Sequence, residues 1–189
     1  LDTVRAFKAR YTVPEIDGLP RFTGGLVGYF GYETVRYIEP RLGNMTKPDV
    51  VGAPDILLTV SDEVVVFDNL KGKLYVVIHV NPAIEDAFNK ANRRLDELVA
   101  KLSEGVVQDG KTGGGKAVAE SDFVPAFTQQ AFEKAVEKAL AYIRAGDIMQ
   151  VVLSQRLAVP YAAAPLDLYR ALRTLNPSPY MYFMDLKDF

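Results

Sequence analysis

Amide, hydroxyl and guanidinium side chains lie close together between Gln150 and Arg156. Because side chains alternate between the two faces of a strand, Gln150, Ser154 and Arg156 share one face if this segment is extended. Such a row of groups can meet a polar ligand by hydrogen bonding. The same row also fits a sheet edge that faces solvent or another layer. Spacing alone leaves both interpretations open.

A second candidate is the segment Asn176-Pro177-Ser178-Pro179-Tyr180-Met181. Its two prolines fix the backbone, which lowers the conformational entropy lost when a ligand binds. Tyr180 and Met181 offer apolar and polarizable contact surface. A rigid stop after a helix explains the same residues, and local chemistry does not choose between the two.

Glycines recur at every third position at Gly25, Gly28 and Gly31. A dinucleotide-binding loop needs the spacing Gly-x-Gly-x-x-Gly between a strand and a helix, which is absent here. Close approach of two backbones within a sheet is the better explanation. His79, the only histidine, has no acid or nucleophile placed beside it by sequence, so a structural or solvent-facing role is expected.

Glu133 and Glu137 lie one helical turn apart, as two metal ligands would. Lys134 and Lys138 flank them, however, and alternating charge is typical of a solvated helix face. We therefore predict no metal site among these residues.

The composition of the 189 residues excludes several classes of protein. A net charge of −2 does not favour a nucleic-acid partner, which needs a basic surface. With no cysteine, the chain has no disulfide, thiolate metal site or cysteine nucleophile, and a cytoplasmic location is expected. No apolar run is long enough to predict a membrane span.

The elements that must position these residues follow from the apolar pattern. Predicted strands lie at 24–32, 56–60, 64–68, 74–80, 151–159 and 180–186, with a hairpin turn at 69–72. A helix is predicted to begin at Asn81 and Pro82, with a buried stripe from Ile84 to Leu102. Thr128 caps a second helix that ends at Gly146, and Pro165 opens a third that buries Leu168, Leu172 and Leu175.

Hairpins followed by alternating helices and strands predict an α+β fold in which antiparallel sheets pack with helices. We expect an N-terminal region at 1–104, a flexible glycine-rich linker at 105–121 and a further domain at 122–189. The absence of an initiator methionine and the unfinished last strand suggest a piece of a longer protein.

Three segments together resemble the large subunit (component I) of the anthranilate synthases, in the chorismate-utilising enzyme family. They are Gly24 to Glu39, Gly146 to Arg156 and Leu172 to Met181. The resemblance implies that the chain is a truncated part of a two-layered α/β sandwich, with 122–189 as an incomplete start of the chorismate-binding domain.

The resemblance also implies an activity: chorismate and ammonia give anthranilate and pyruvate in tryptophan biosynthesis. Magnesium holds the substrate, a glutamine amidotransferase subunit supplies the ammonia, and L-tryptophan is the feedback inhibitor. In the family, the magnesium ligands and the general acid lie beyond residue 189. No catalytic or metal-binding residue is therefore assigned here, and the chain alone is expected to be inactive.

Two sets of residues receive roles from the resemblance. Gln150 matches the position where isochorismate and salicylate synthases carry a lysine that activates water. Ammonia has a free lone pair and needs no such base, so glutamine favours an amine-transferring member. Pro179, Tyr180 and Met181 match part of the family's tryptophan site and are interpreted as regulatory.

Two alternatives to anthranilate synthesis remain. Aminodeoxychorismate synthase component I places the amine elsewhere on the ring, although the segments 32–39 and 176–181 are more similar to the anthranilate enzymes. Alternatively, this chain by itself is a non-catalytic module that binds tryptophan or docks the partner subunit.

Overall fold

The computed structural model describes residues 1–44, 48–105 and 117–187 of the chain. It contains helices and small antiparallel sheets, which confirms the predicted α+β class. The described residues form two compact units: the first contains those of 1–105 together with 184–187, and the second contains 117–183. The predicted linker at 105–121 falls mostly outside the described residues, and the predicted domain boundaries stay predictions.

The first unit is built from two pairs of antiparallel strands and two α-helices. Their bounds are α1 Asp2–Lys8, β1 Gly25–Phe30, β2 Ile56–Ser61, β3 Glu63–Asp68, β4 Lys73–Ile78 and α2 Ala87–Ser103. β1 pairs with β2, and β3 pairs with β4. The β-branched and apolar runs of the sequence therefore predicted these four strands correctly. Two 3-10 helices, Tyr32–Tyr37 and Pro40–Leu42, follow β1.

The glycine in the middle of β1 allows the two backbones to approach closely. Gly28 is paired with Leu58, and a Cβ at Gly28 would lie 1.9 Å from the carbonyl oxygen of Leu57. No side chain fits in that space. The interpretation of the glycine run as a site of close backbone approach is thus confirmed at Gly28.

β2 and β3 are separated by the single residue Asp62, and the strand partner changes there from β1 to β4. The carbonyl oxygen of Asp62 accepts a hydrogen bond from the His79 backbone N–H at 2.8 Å. The imidazole Nε2 of His79 lies 2.9 Å from the carbonyl oxygen of Thr23, just before β1. A Cβ on Gly24 would lie 2.6 Å from the imidazole Cδ2. His79 therefore joins the two strand pairs, which confirms its structural role.

The predicted hairpin turn between β3 and β4 is confirmed. The Asp68 carboxylate accepts the Lys71 backbone N–H at 2.9 Å, and Gly72 takes a left-handed conformation with φ of 60°. This turn brings β4 back against β3 in register from Glu63↔Ile78 to Asp68↔Lys73.

The predicted start of α2 at Asn81 was wrong. The Asn81 side chain accepts the Ala83 backbone N–H at 3.0 Å, so it stabilises a tight turn before the helix. Asp86 then adopts a left-handed conformation with φ of 59°, which ends that turn, and the helix begins at Ala87. Ile84 consequently lies outside the helix whose stripe it was predicted to begin.

Contacts with the second strand pair hold α2 in place. The helix packs against β4. Arg94 forms a bidentate ion pair with Glu63 of β3, with N–O distances of 2.8 and 2.9 Å, and a further pair with Glu97 at 3.1 Å. The hydrogen bonds from Arg94 and its positive charge lower the pKa of Glu63. Both side chains are partly exposed, so solvent screens the pair and its contribution to stability is small.

The second unit contains two α-helices and one short pair of strands. Their bounds are β5 Val124–Pro125, α3 Gln129–Ala145, β6 Leu157–Ala158 and α4 Pro165–Leu175, with a 3-10 helix at Glu120–Asp122. β5 pairs with β6 in antiparallel fashion. The predicted cap at Thr128 and the predicted start at Pro165 are confirmed.

Two predicted strands of this half were wrong. Of the strand predicted at 151–159, only Leu157–Ala158 pairs with a neighbour, and no strand forms over 180–186. The β-branched composition favours extended backbone, but a strand also needs a partner whose N–H and C=O groups complete the ladder.

The predicted buried faces are also only partly correct. Among the described residues, no apolar side chain is fully buried. Leu168, Leu172 and Leu175 of α4 are 47%, 46% and 81% exposed, so the prediction that they are buried was wrong. Apolar spacing identified the apolar face of each helix but not what covers it. No helix in the described ranges is long and apolar enough to span a membrane.

Replacing the central glycine of β1 tests the close approach. Gly28→Ala should destabilise the protein by roughly 1–3 kcal/mol, since the added methyl forces the backbone of Leu57 away. The melting temperature of the complete natural protein measures this. Gly105→Ala is the matched control, because a Cβ there meets nothing within 4 Å, and it should have little effect. Equal melting temperatures for the two variants would contradict the pairing.

The Glu63–Arg94 pair predicts a pH dependence of stability. Because the folded protein lowers the pKa of Glu63, the contribution is present above the ordinary pKa of glutamate, about 4.3, and is lost as pH falls through the lower folded value. Glu63→Gln should therefore lower the melting temperature at pH 7, and the difference should shrink below about pH 4. Glu137→Gln, on the exposed face of α3, is the control. If the difference in melting temperature between Glu63→Gln and the unaltered protein grows as the pH falls, the Glu63–Arg94 pair is not its cause.

Candidate functional site

The segment that carries Gln150 leaves the C-terminal end of α3. Gly146 takes a left-handed conformation with φ of 81°, and its N–H donates to the Ile143 carbonyl at 3.1 Å. The Asp147 N–H donates to the Tyr142 carbonyl at 3.0 Å, so the last turn of the helix is closed. At the other end of α3, the Thr128 hydroxyl accepts the Ala131 N–H at 3.2 Å. Both ends of the helix are thus fixed by capping.

Gln150 itself lies on the exposed, irregular segment between α3 and β6. Because residues 150–156 form no strand, the argument that Gln150, Ser154 and Arg156 share one strand face does not apply. Within the described ranges, no hydrogen bond of the Gln150 side chain is present. Its amide is uncharged and open to solvent.

In contrast, both polar atoms of the Gln155 side-chain amide form hydrogen bonds. The amide Nε2 donates to the carbonyl oxygen of Phe127 at 3.1 Å, and the Phe127 N–H donates to Oε1 at 3.3 Å. Sequence reasoning missed this residue. The available signal was an amide next to a short β-branched run, a pattern too common to single it out.

The second candidate segment follows α4. The Asn176 N–H donates to the Leu172 carbonyl at 2.9 Å and closes the helix, and the Tyr180 N–H donates to the Ser178 hydroxyl at 3.3 Å. The Tyr180 side chain is 90% exposed, and Met181 is half-buried. The Tyr180 ring is therefore presented to solvent on a backbone that two prolines restrict.

The structure does not bring the two candidate segments together. In the part of the chain that is described, no hydrogen bond, ion pair or ring contact joins Gln150 to Pro179, Tyr180 or Met181. Nor do the described residues contain a group of three or more histidine and acidic side chains that could hold a metal ion. We assign none of the described residues to a magnesium ion.

A small cleft of about 240 Å³ in the first unit is lined by Arg36, Tyr37, Gly43 and Asp55. Two of its polar groups contact each other, since the Tyr37 hydroxyl donates to the Asp55 carboxylate at 3.1 Å. Arg36 pairs with Glu33 of the same 3-10 helix at 3.0 Å. The hydrogen bond and the negative charge of Asp55 raise the pKa of Tyr37. The Tyr37–Asp55 hydrogen bond holds the first 3-10 helix against the residue that precedes β2.

Comparison with known proteins places these segments in a family. The model of the chorismate binding enzymes matches residues 2–189 of the chain. The chain therefore belongs to the chorismate binding enzyme family.

Several relatives cover nearly the whole chain. It is 52% identical over 187 residues to anthranilate synthase component 1 of Pseudomonas putida and 50% identical over 190 residues to that of Pseudomonas aeruginosa. Each match covers 98% of this chain and 38% of the relative. The crystal structure of anthranilate synthase component I from Streptococcus pneumoniae TIGR4 superimposes with a TM-score of 0.79 at 30% identity. That match covers 99% of this chain and 41% of the solved one, so the chain spans about two fifths of its relatives' length.

Proposed function

We propose that the chain is part of an anthranilate synthase component 1. The protein would convert chorismate and ammonia to anthranilate and pyruvate in tryptophan biosynthesis. The observation that carries this proposal is the 50–52% identity to the two Pseudomonas proteins of that name, which extends over 98% of the chain. The segments that resemble the family, Gly24 to Glu39, Gly146 to Arg156 and Leu172 to Met181, all lie inside the matched region.

The amide of Gln150 supports the choice of ammonia over water as the nucleophile. Water is a weak nucleophile and needs a base to remove its proton, whereas ammonia attacks through its own lone pair. A glutamine amide has donors and an acceptor but no basic nitrogen. A site with Gln150 at the position of the water-activating lysine would therefore admit the amine reaction and disfavour hydration.

Pro179, Tyr180 and Met181 are proposed to form part of the site for the inhibitor L-tryptophan. The exposed Tyr180 ring can stack against an indole, and Met181 adds a polarizable contact. Pro177 and Pro179 restrict the backbone beforehand, which lowers the entropy that ordering this segment would cost.

The remaining parts of the activity are proposed to lie outside this chain. Magnesium would hold the substrate through ligands in the parts of the relatives' length that the chain does not span. The ammonia would come from glutamine through an amidotransferase partner. The cytoplasm is the proposed location, since a chain without cysteine needs no oxidising compartment.

Two alternatives make different predictions. Aminodeoxychorismate synthase component I would give a 4-amino product. A non-catalytic module would bind tryptophan and ignore chorismate, and calorimetric titration with each compound distinguishes it from an enzyme. The names of the relatives at 50–52% identity favour the anthranilate reaction.

Product identity tests the proposal. The complete natural protein, given chorismate, magnesium and ammonium, should release anthranilate, and added tryptophan should reduce the rate. A 4-amino product, isochorismate or no turnover would refute the assignment.

The same assay tests the regulatory residues with a matched pair of variants. Tyr180→Ala should raise the tryptophan concentration needed for half-inhibition about tenfold, since loss of one aromatic contact costs about 1.4 kcal/mol of binding. Tyr182→Ala removes a similarly exposed ring, 77% exposed, from the same segment and should leave inhibition unchanged. If tryptophan inhibits Tyr180→Ala and Tyr182→Ala at the same concentration, Tyr180 is not part of the tryptophan site.

A further inference from the structure

The Gln155 side chain bonds to the backbone just before α3. Its amide donates to and accepts from the backbone of one residue, Phe127, at 3.1 and 3.3 Å. A primary amide carries both an N–H donor and a C=O acceptor, so it can bind both polar groups of one residue's backbone. The two bonds together fix the position of Gln155 relative to Phe127.

This contact lies next to the ladder between β5 and β6. Val124 lies opposite Ala158 and Pro125 lies opposite Leu157, and the Ala126 N–H then donates to the Arg156 carbonyl at 2.9 Å. Because hydrogen-bonded pairs alternate with non-hydrogen-bonded pairs, the backbones of Phe127 and Gln155 would not bond each other at the next position. The Gln155 side chain supplies two hydrogen bonds there and extends the contact between the two segments beyond the last backbone bond.

The same contact also closes a loop. Phe127 directly precedes Thr128, whose hydroxyl caps the first turn of α3. The segment that carries Gln150 begins at Gly146, the capped end of that helix. Gln155 therefore ties the far end of the segment to the start of α3, while Gly146 fixes the near end. With no side-chain hydrogen bond of its own among the described residues, Gln150 depends on these two anchors for its position.

We propose that Gln155 is a positioning residue that anchors the segment before β6 to the backbone of Phe127 and thereby places Gln150. The role in nucleophile selection rests on the proposed function. The structural part, that the Gln155 amide fixes residues 149–154, stands on the hydrogen bonds alone. The two parts can therefore be tested separately.

Hydrogen exchange in the complete natural protein tests the structural part. In Gln155→Ala, the Phe127 amide should exchange about fivefold faster, because its acceptor is gone, and the amides of 149–154 should lose protection with it. Gln155→Glu should leave the Phe127 amide protected, since a carboxylate still accepts its N–H, but should reduce protection at 149–154 because a carboxylate cannot donate to the Phe127 carbonyl. Gln130→Ala removes an exposed amide of α3 and should change neither rate. In Gln155→Ala, unchanged exchange at Phe127, or at 149–154 when Phe127 exchanges faster, would overturn the proposal.

Steady-state kinetics of the same variants test the link to the reaction. Gln155→Ala should raise the KM for ammonium about fivefold and leave the KM for chorismate within about twofold, because only the nucleophile's surroundings shift. A general loss of structure would change both constants together. An unchanged KM for ammonium would overturn the link. If the unaltered protein makes no anthranilate, the proposed function fails, but the exchange measurements still decide whether Gln155 fixes the segment.

Discussion

The first unit depends on the joint at Asp62, the residue between β2 and β3 at which the chain changes its strand partner from β1 to β4. β2 and β3 form a nearly continuous run, and the break at Asp62 allows β1 to pair before it and β4 after it. His79 closes this joint through its backbone, bonded to Asp62, and its imidazole, bonded to Thr23. Gly24 leaves room for the ring. The packing of α2 on β4 and its ion pair with β3 both follow from this arrangement.

The strand pairs of the first unit and the two ends of α3 were predictable from the sequence because they depend on local chemistry. In each case the residues that form the feature lie within a few positions of one another. The examples are the β-branched runs, the Asn69–Gly72 turn, the Thr128 cap and the end of α3 at Gly146. The start of α2 was not predictable, because the Asn81 side chain can cap a turn as well as a helix. The burial of the helices' apolar side chains was also predicted wrongly. An apolar stripe shows which face of a helix is apolar, but the residues that would cover that face come from elsewhere in the fold.

The roles of the candidate residues stay predictions. Local chemistry singled out Gln150 and the segment Pro179 to Met181, and family resemblance gave each a separate role. The structure places them on two irregular segments, without a hydrogen bond, ion pair or ring contact between them among the described residues. The chain spans about two fifths of its relatives' length. Gln155 was missed because a side chain that bonds to backbone groups distant in sequence leaves no periodic signal.

The joint at His79 is tested most directly by the protonation of its imidazole. Since a carbonyl oxygen can only accept, Nε2 must carry the proton that bonds to Thr23. Nitrogen NMR of the complete natural protein with labelled histidine identifies the His79 signals as those lost in His79→Asn. For the neutral ring we predict the tautomer with hydrogen on Nε2 and a bare Nδ1. A neutral ring with its hydrogen on Nδ1 would contradict the joint.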